Sequence, residues 1–304
     1  MEAFIYDYYG YNISITNNEF DFQGYEFVLI NVNDNEEEIN KLNDLVESIN
    51  NNFRSDVVYI VKNKYGKYIS TSKDDGNICL LSYKIDDAID INHFVKLHLI
   101  YYNKFQYKVN IEDIIILLDQ RLEYIQNQCL VNLNLDNDAH LLLYEYTLYA
   151  IGLALNSLQY LSDIHIDFTT ENYNCTLTHR RIKKMDKYEL FNPFNFIIDH
   201  SSRDLAELYK NNLITYDTLM NICSFYSYNL DEYEYLFARL LYPTFIFDIV
   251  EDIANDNSNY DYSNEIYYAI AKQNQQLDKI KVFYKNTIKM MNLRPVDWVM
   301  SIVN

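Results

Sequence analysis

Glycine and proline are scarce in this 304-residue chain, at 5 and 3 residues. That scarcity excludes collagen-like and linker-like architectures and leaves little material for a glycine-rich phosphate loop. Basic residues are few as well: 25 Lys and Arg against 44 Asp and Glu give a formal net charge of −19. A field of that sign repels phosphates and disfavours nucleic-acid partners. The cysteines Cys79, Cys129, Cys175 and Cys223 are widely spaced with no CxxC pair, which suggests buried reduced thiols, not a zinc site or a disulfide framework. No uncharged apolar run approaches the ~20 residues that cross a bilayer, and Met1-Glu2-Ala3-Phe4-Ile5-Tyr6-Asp7 is acidic where a secretory signal is basic. The expectation is a cytoplasmic protein with neither nucleic acid nor membrane as partner.

What the chain has in quantity is apolar surface, 49% of its residues, including 31 Tyr, enough for a substantial core. Residues 1–86 read as a small β-rich unit with one helix. Tyr25 to Val32 is the best early strand. Asn33-Asp34-Asn35 then supplies capping residues, Glu36, Glu37 and Glu38 suit the positive end of a helix, and Ile39, Leu42, Leu45, Val46 and Ile49 share one helical face. Val57 to Val61 and Tyr68 to Ser70 flank Asn63-Lys64-Tyr65-Gly66-Lys67, which predicts a hairpin, and Ile78 to Tyr83 is a further strand. From residue 87 to 304 long helices are expected: Ile111 to Gln128, Ala139 to Leu161, Asp204 to Asn212, Leu230 to Ile253 broken or kinked at Pro243, and Asn264 to Met291. Between them, Ile166 to Ile198 is less regular, with strand-like pieces at Cys175-Thr176-Leu177 and Asn195 to Ile198.

This order predicts an α+β, two-lobed protein-kinase-like fold, with a small N-lobe over residues 1–86 and a larger helical C-lobe over 87–304. Four segments carry a family resemblance: Ala150 to Leu161; Leu177-Thr178-His179-Arg180-Arg181-Ile182; Asn192 to His200 followed by Ser202 to Glu207; and Ala238 to Pro243, with Val296-Asp297-Trp298 near the end. In this order and spacing they resemble the aminoglycoside-phosphotransferase-like proteins of the spore-coat CotS/YutH type. The resemblance implies that the second segment is the catalytic loop and that Asp199 stands at the position of the metal-binding aspartate.

Phosphoryl transfer needs cations for the triphosphate, a carboxylate to align the acceptor hydroxyl, and oxygen ligands for magnesium. Residues 1–40 contain no Lys or Arg and nine carboxylates, and Gly10 and Gly24 are too far apart for a phosphate-covering loop. Where the resemblance implies a His-Gly-Asp start with an Asn five residues on, this chain has His179-Arg180-Arg181 and then Asp186. A guanidinium stays protonated and accepts no proton, so base chemistry through Arg181 is lost. Asp199 is the one metal candidate; its alternative is a structural carboxylate paired with Arg203, Arg181 or a backbone amide. No catalytic residue is assigned. His179 reads as a hydrogen-bonded interior histidine, Arg203 and Asp204 as an ion pair or cap at a helix start, and His93, His98 and Asp90 as a surface cluster. Lys183-Lys184 beside Arg180-Arg181 is the densest basic patch. Asp74-Asp75 and Asp86-Asp87 read as solvated acids, and Tyr226 to Tyr235 as core and groove packing with some rings suited to protein contacts.

The expected function is therefore a catalytically defective, kinase-like scaffold, a pseudokinase. It would bind other proteins or copies of itself without cofactor, in the cytoplasm or the spore coat that the resemblance implies. The alternative is an atypical small-molecule phosphotransferase using ATP and Mg, rebuilt from Asp199, Asp186 and Lys62 or Lys84. A third reading is a pocket for a cationic metabolite, drawn by the acidic field.

Overall fold

The computed structural model describes residues 1–54, 57–73, 76–84, 89–105, 108–168, 172–256 and 260–299. The chain divides into two compact units, Met1–Ile100 with Lys184–Ile197, and Tyr101–Lys183 with Ile198–Asn304. The boundary expected at 86/87, and the acid pairs Asp74-Asp75 and Asp86-Asp87, lie outside the described residues. The helix that follows this boundary stays with the first unit, where the His93 ring stacks on Phe53 and the Lys96 ammonium lies over the same ring.

The first unit holds α1 (Glu2–Tyr9), β1 (Glu19–Phe22), β2 (Tyr25–Asn31), α2 (Glu36–Phe53), β3 (Val58–Val61), β4 (Ile69–Ser72), β5 (Gly76–Lys84) and most of α3 (Ile91–Tyr101). The long strand β5 is the centre of an antiparallel sheet, with β2 and then β1 on one side and β3 and β4 on the other. Being flanked on both sides, it buries six consecutive residues from Ile78 to Tyr83. Ile5 of α1 closes a cluster with Phe20, Phe27, Leu29, Ile78 and Leu80. α2 begins as its sequence dictates: the Asn35 side chain accepts from the Glu38 amide, and the Glu38 side chain accepts from the Asn35 amide.

The expected hairpin between Val57 and Ser70 does not form. β3 and β4 do not pair with each other; they follow one another along the same edge of β5, Val58–Val61 opposite Tyr83–Leu80 and Ile69–Ser72 opposite Cys79–Gly76. Residues 62–68 are an excursion from an interrupted edge strand. Buried Asn63 makes this possible: its Oδ1 accepts from the Tyr65 and Lys67 amides, and its Nδ2 donates to the Ile69 carbonyl and Ser70 Oγ. Glu36 of α2 then accepts from the Tyr68 and Ile69 amides at 2.7 and 3.2 Å, so the turn residues are satisfied locally instead of by strand pairing. Asn63→Ala leaves two amides and a carbonyl short of partners and is expected to lower the unfolding free energy by about 1–3 kcal/mol. A urea titration of variant against parent checks this.

The second unit opens with β6 (Val109–Asn110) and α4 (Ile111–Tyr124), which runs on as a π-helical turn over Ile125–Cys129, and then the long α5 (Asp138–Asp167). β7 (Asn172–Tyr173) pairs with β6. β8 (Thr176–His179) pairs with β9 (Phe196–Asp199), whose last two residues belong to this unit; α6 (Lys187–Leu190) belongs to the first. α7 (Ser202–Lys210), α8 (Tyr216–Phe225), α9 (Leu230–Leu241), α10 (Thr244–Asn255) and α11 (Ser263–Met291) complete it. Pro243 ends α9 and starts α10, as expected of a residue with no amide to donate. α5 is long and apolar enough to cross a membrane by composition alone. Here Leu143, Ala150, Ala154 and Leu158 are instead packed in the cluster shared with Tyr242, Ile246, Phe247 and Ile266. Tyr226, Tyr228, Tyr233 and Tyr235 are all buried, as core packing requires.

Candidate functional site

β8 delivers His179 into the interior, where Asp204 in the first turn of α7 receives it. The His179 amide donates to Asp204 Oδ1 at 2.9 Å, and its ring Nδ1 lies 2.6 Å from Oδ2. Both side chains are buried, and the helix N-terminus suits the carboxylate. Asp204 thus orients His179 and does not cap α7, and His179 is the hydrogen-bonded interior residue expected.

Asp199, at the end of β9, is 4% exposed. Its Oδ2 accepts from Arg203 Nη1 at 3.1 Å and Arg239 Nη2 at 2.8 Å, while Oδ1 accepts from the His200 amide at 2.7 Å. Burial acts to raise its pKa, but the two guanidiniums outweigh burial and hold it below the usual carboxyl value. Arg203 also donates to the carbonyls of His179 and Arg180, and Arg239 to the Tyr235 hydroxyl. A magnesium ion at Asp199 would have to compete with two cations already on one oxygen.

Arg181 does not face Asp199. Its Nη2 and Nε donate to the two oxygens of Asp248 on α10, at 2.8 and 3.3 Å. Arg121 of α4 reaches the same Asp248 at 2.7 Å and grips both oxygens of Glu251 at 2.8 and 2.7 Å. Burial opposes ionisation of Asp248, and Arg181 and Arg121 overcome it, so its pKa also lies low. Around this network lies a cavity of about 550 Å³, entirely within the helical unit, to which Arg181, Arg203 and Arg239 all contribute.

Of the residues considered for a rebuilt phosphotransfer site, Asp186 and Lys62 have other partners, while Lys84 is held through its backbone carbonyl and its side chain is exposed. Asp186 accepts from the Glu189 amide as the cap of α6. Lys62 lies over the Tyr68 ring, and the Lys84 carbonyl accepts from Lys187 Nζ at 2.7 Å. β2 carries Glu26 and no lysine, and its carboxylate lies 3.5 Å from that same Lys187 Nζ. His93 and Asp90 do pair at the surface, at 2.7 Å, but His98 is fully buried against the Phe94 ring and leaves the expected cluster. Five residues along a helix turn by about 140° beyond a full circle, which separates the two histidines' faces. The basic patch is thinned likewise, since Arg180, Lys183 and Lys184 are exposed while Arg181 is turned onto Asp248.

Arg239, Asp248, Arg121 and Lys210 were not legible as site residues. One signal was present: Asp248 and Glu251 are three apart on the mostly apolar Thr244–Ile253, so they share one face of that helix and need a cation where it turns inward.

The family described as "Spore coat putative kinase YutH" matches residues 2–286. The endospore coat-associated protein YutH of Bacillus subtilis (strain 168) is 24% identical over 163 residues, covering 48% of this chain and 46% of that protein. The matched chain thus spans just under half the length of this curated relative. Among solved structures, the aminoglycoside phosphotransferase of Alicyclobacillus acidocaldarius superposes with a TM-score of 0.60 at 13% identity over 92% of each chain. The spectinomycin phosphotransferase APH(9)-Ia, solved with ADP and spectinomycin, gives 0.59 at 9% identity over 91% of this chain and 97% of its own. At such identities the likeness establishes the kinase-like fold alone, as the element order predicted. With a family match running through both units, the chain belongs to the spore coat YutH family of kinase-like proteins.

Proposed function

We propose that this chain is a catalytically silent member of that family, a pseudokinase. It would serve the spore coat as a structural component, contacting other proteins or further copies of itself and using neither ATP nor magnesium. One observation carries this reading: Arg181, at the position the resemblance gives to the catalytic aspartate, is committed to Asp248 by two hydrogen bonds. A permanent cation held there neither accepts a proton nor orients a hydroxyl through an acceptor atom. The clamp of Arg203 and Arg239 on Asp199 supports it further. The coat setting rests on the name of the Bacillus subtilis relative. Exposed Leu141, Leu148 and Leu155, seven apart along α5, support a role exercised through surfaces.

The test is a melting curve with and without ATP and magnesium, paired with an assay for ATP turnover. A ligand bound only by the folded state at a hundredfold excess over its Kd adds about 2.7 kcal/mol of stability. The expected result is no saturable shift and no turnover. A magnesium-dependent shift with turnover that disappears in Asp199→Ala would overturn the proposal in favour of an atypical phosphotransferase. Arg181→Asp, which sets two carboxylates against each other at Asp248, is expected to lower the melting temperature and create no transfer activity.

A further inference from the structure

In a chain carrying 25 cations against 44 carboxylates, the cavity of the helical unit is the reverse of its surroundings. Arg121, Arg181, Arg203, Lys210 and Arg239 line it, against the carboxylates of Glu207, Asp248 and Glu251. Even with Asp199 behind Arg203 and Arg239, the cations are in excess. Two carboxylates are shared, each by a pair of arginines: Asp199 by Arg203 and Arg239, Asp248 by Arg121 and Arg181. A guanidinium head carries five N–H donors in a planar fork. One is plainly idle: Arg239 Nε is buried with no hydrogen-bond partner, on a side chain only 11% exposed. Of the uncharged wall, Leu117, Leu118 and Tyr124 of α4 form an apolar stretch, interrupted by the polar Gln120 and faced by Thr244.

We propose that this cavity is a binding site for a small organic anion, whose carboxylate or phosphate group meets the arginines while its apolar body meets Leu117, Leu118 and Tyr124. Its size, about 550 Å³, suits a ligand of modest dimensions. Charge-assisted bonds from planar guanidiniums are the strong, directional contacts that such groups select. The local field points the same way: burial and then Arg239 hold the Arg203 guanidinium below its usual pKa despite the Asp199 carboxylate beside it. A negative ligand relieves that crowding. A polycation, which the overall charge would attract, meets five like charges here. The inference is independent of phosphoryl transfer, because binding an anion requires neither nucleotide nor magnesium.

Phenyl phosphate and phenylacetate serve as probes for the two anion types, with phenylacetamide as the neutral control and spermidine as the cationic one. Calorimetric titration in nucleotide-free, magnesium-free buffer is expected to show saturable one-to-one binding of at least one anion. That affinity should weaken as salt rises, with no binding of phenylacetamide or spermidine. Arg239→Gln should weaken the anion about tenfold or more. Because Arg239 also holds Asp199, exposed Leu117 provides a second variant: Leu117→Glu adds a carboxylate at the cavity wall, should leave the melting temperature near that of the parent, and should weaken the anion too. The proposal is overturned by the absence of binding of both anions up to about 10 mM, well above a millimolar Kd. It is equally overturned by affinity unchanged in Leu117→Glu, or by spermidine binding in place of the anions.

Discussion

Asp199→Ala is expected to destabilise this protein by about 3–5 kcal/mol, because it strands two buried guanidiniums that now share one carboxylate oxygen. Without Asp199, Arg239 keeps the Tyr235 hydroxyl as an acceptor, and Arg203 keeps two backbone carbonyls. Repulsion between the two heads, already felt by Arg203, is then unopposed. The sign discriminates between roles. A carboxylate kept for a metal is an unsatisfied charge in the metal-free protein, and removing it leaves stability unchanged or raises it. A carboxylate kept as the hub of an arginine clamp costs several kcal/mol when lost. Chemical denaturation of variant and parent, each with and without magnesium, separates them: the clamp predicts a large loss and no response to the ion, whereas a stable variant with a parent that responds to magnesium refutes it.

The same clamp fixes an acid-side pH dependence. The folded-state pKa values of Asp199 and Asp248 are both lowered, so between those values and the ordinary carboxyl value near 4 the unfolded chain binds more protons than the folded one. Their contribution is full above the ordinary value and is lost as pH falls through the lowered ones. Asp199→Asn should therefore flatten part of the parent's acid unfolding curve.

Much of the fold was readable because local chemistry and tertiary position agree. Asn35 with Glu38 caps a helix in any context, Pro243 stops one, and the apolar faces of α2, α5 and α11 follow the helical period. The hairpin failed for a physical reason of equal clarity. A Gly-containing turn between two apolar runs is compatible with either strands that pair or strands that continue along a third, and only β5 and the buried Asn63 decide between them. The site was half readable. A missing base at Arg181 is visible in the residue itself, and Asp199 in its setting. Their partners Asp248 and Arg239 lie 67 and 40 residues away, a distance at which spacing carries no information and only packing does.

Lys210→Met combined with Glu207→Gln is expected to abolish a rise in stability that the parent shows between about pH 8 and pH 10.5. Lys210 is 1% exposed; its Nζ donates to the Tyr242 carbonyl at 3.0 Å and to Glu207 Oε1 at 3.4 Å. Burial pushes its pKa down to about 8; Arg181 and Arg239 push the same way, and Glu207 only partly resists. A lowered lysine pKa means that, from about 8 up to the ordinary value near 10.5, the unfolded chain holds a proton the folded chain has released. The derivative of unfolding free energy with pH is therefore positive across that window, and the full span corresponds to about 3 kcal/mol. Below it, the buried ammonium is a standing cost that the fold carries. The paired substitution removes the charge without stranding Glu207, which otherwise keeps only the weak Thr244 hydroxyl bond at 3.4 Å. Tyrosine ionisation lowers stability at the top of the range, but it acts on parent and variant alike and cancels in their difference. Urea midpoints of both proteins at several pH values from 7.5 to 10 measure that difference. It should grow in the parent's favour as pH rises, and a difference independent of pH would show that Lys210 is not the titrating group. Phenyl phosphate seated in the cavity favours the ammonium, so in the parent it should move the start of the rise to higher pH.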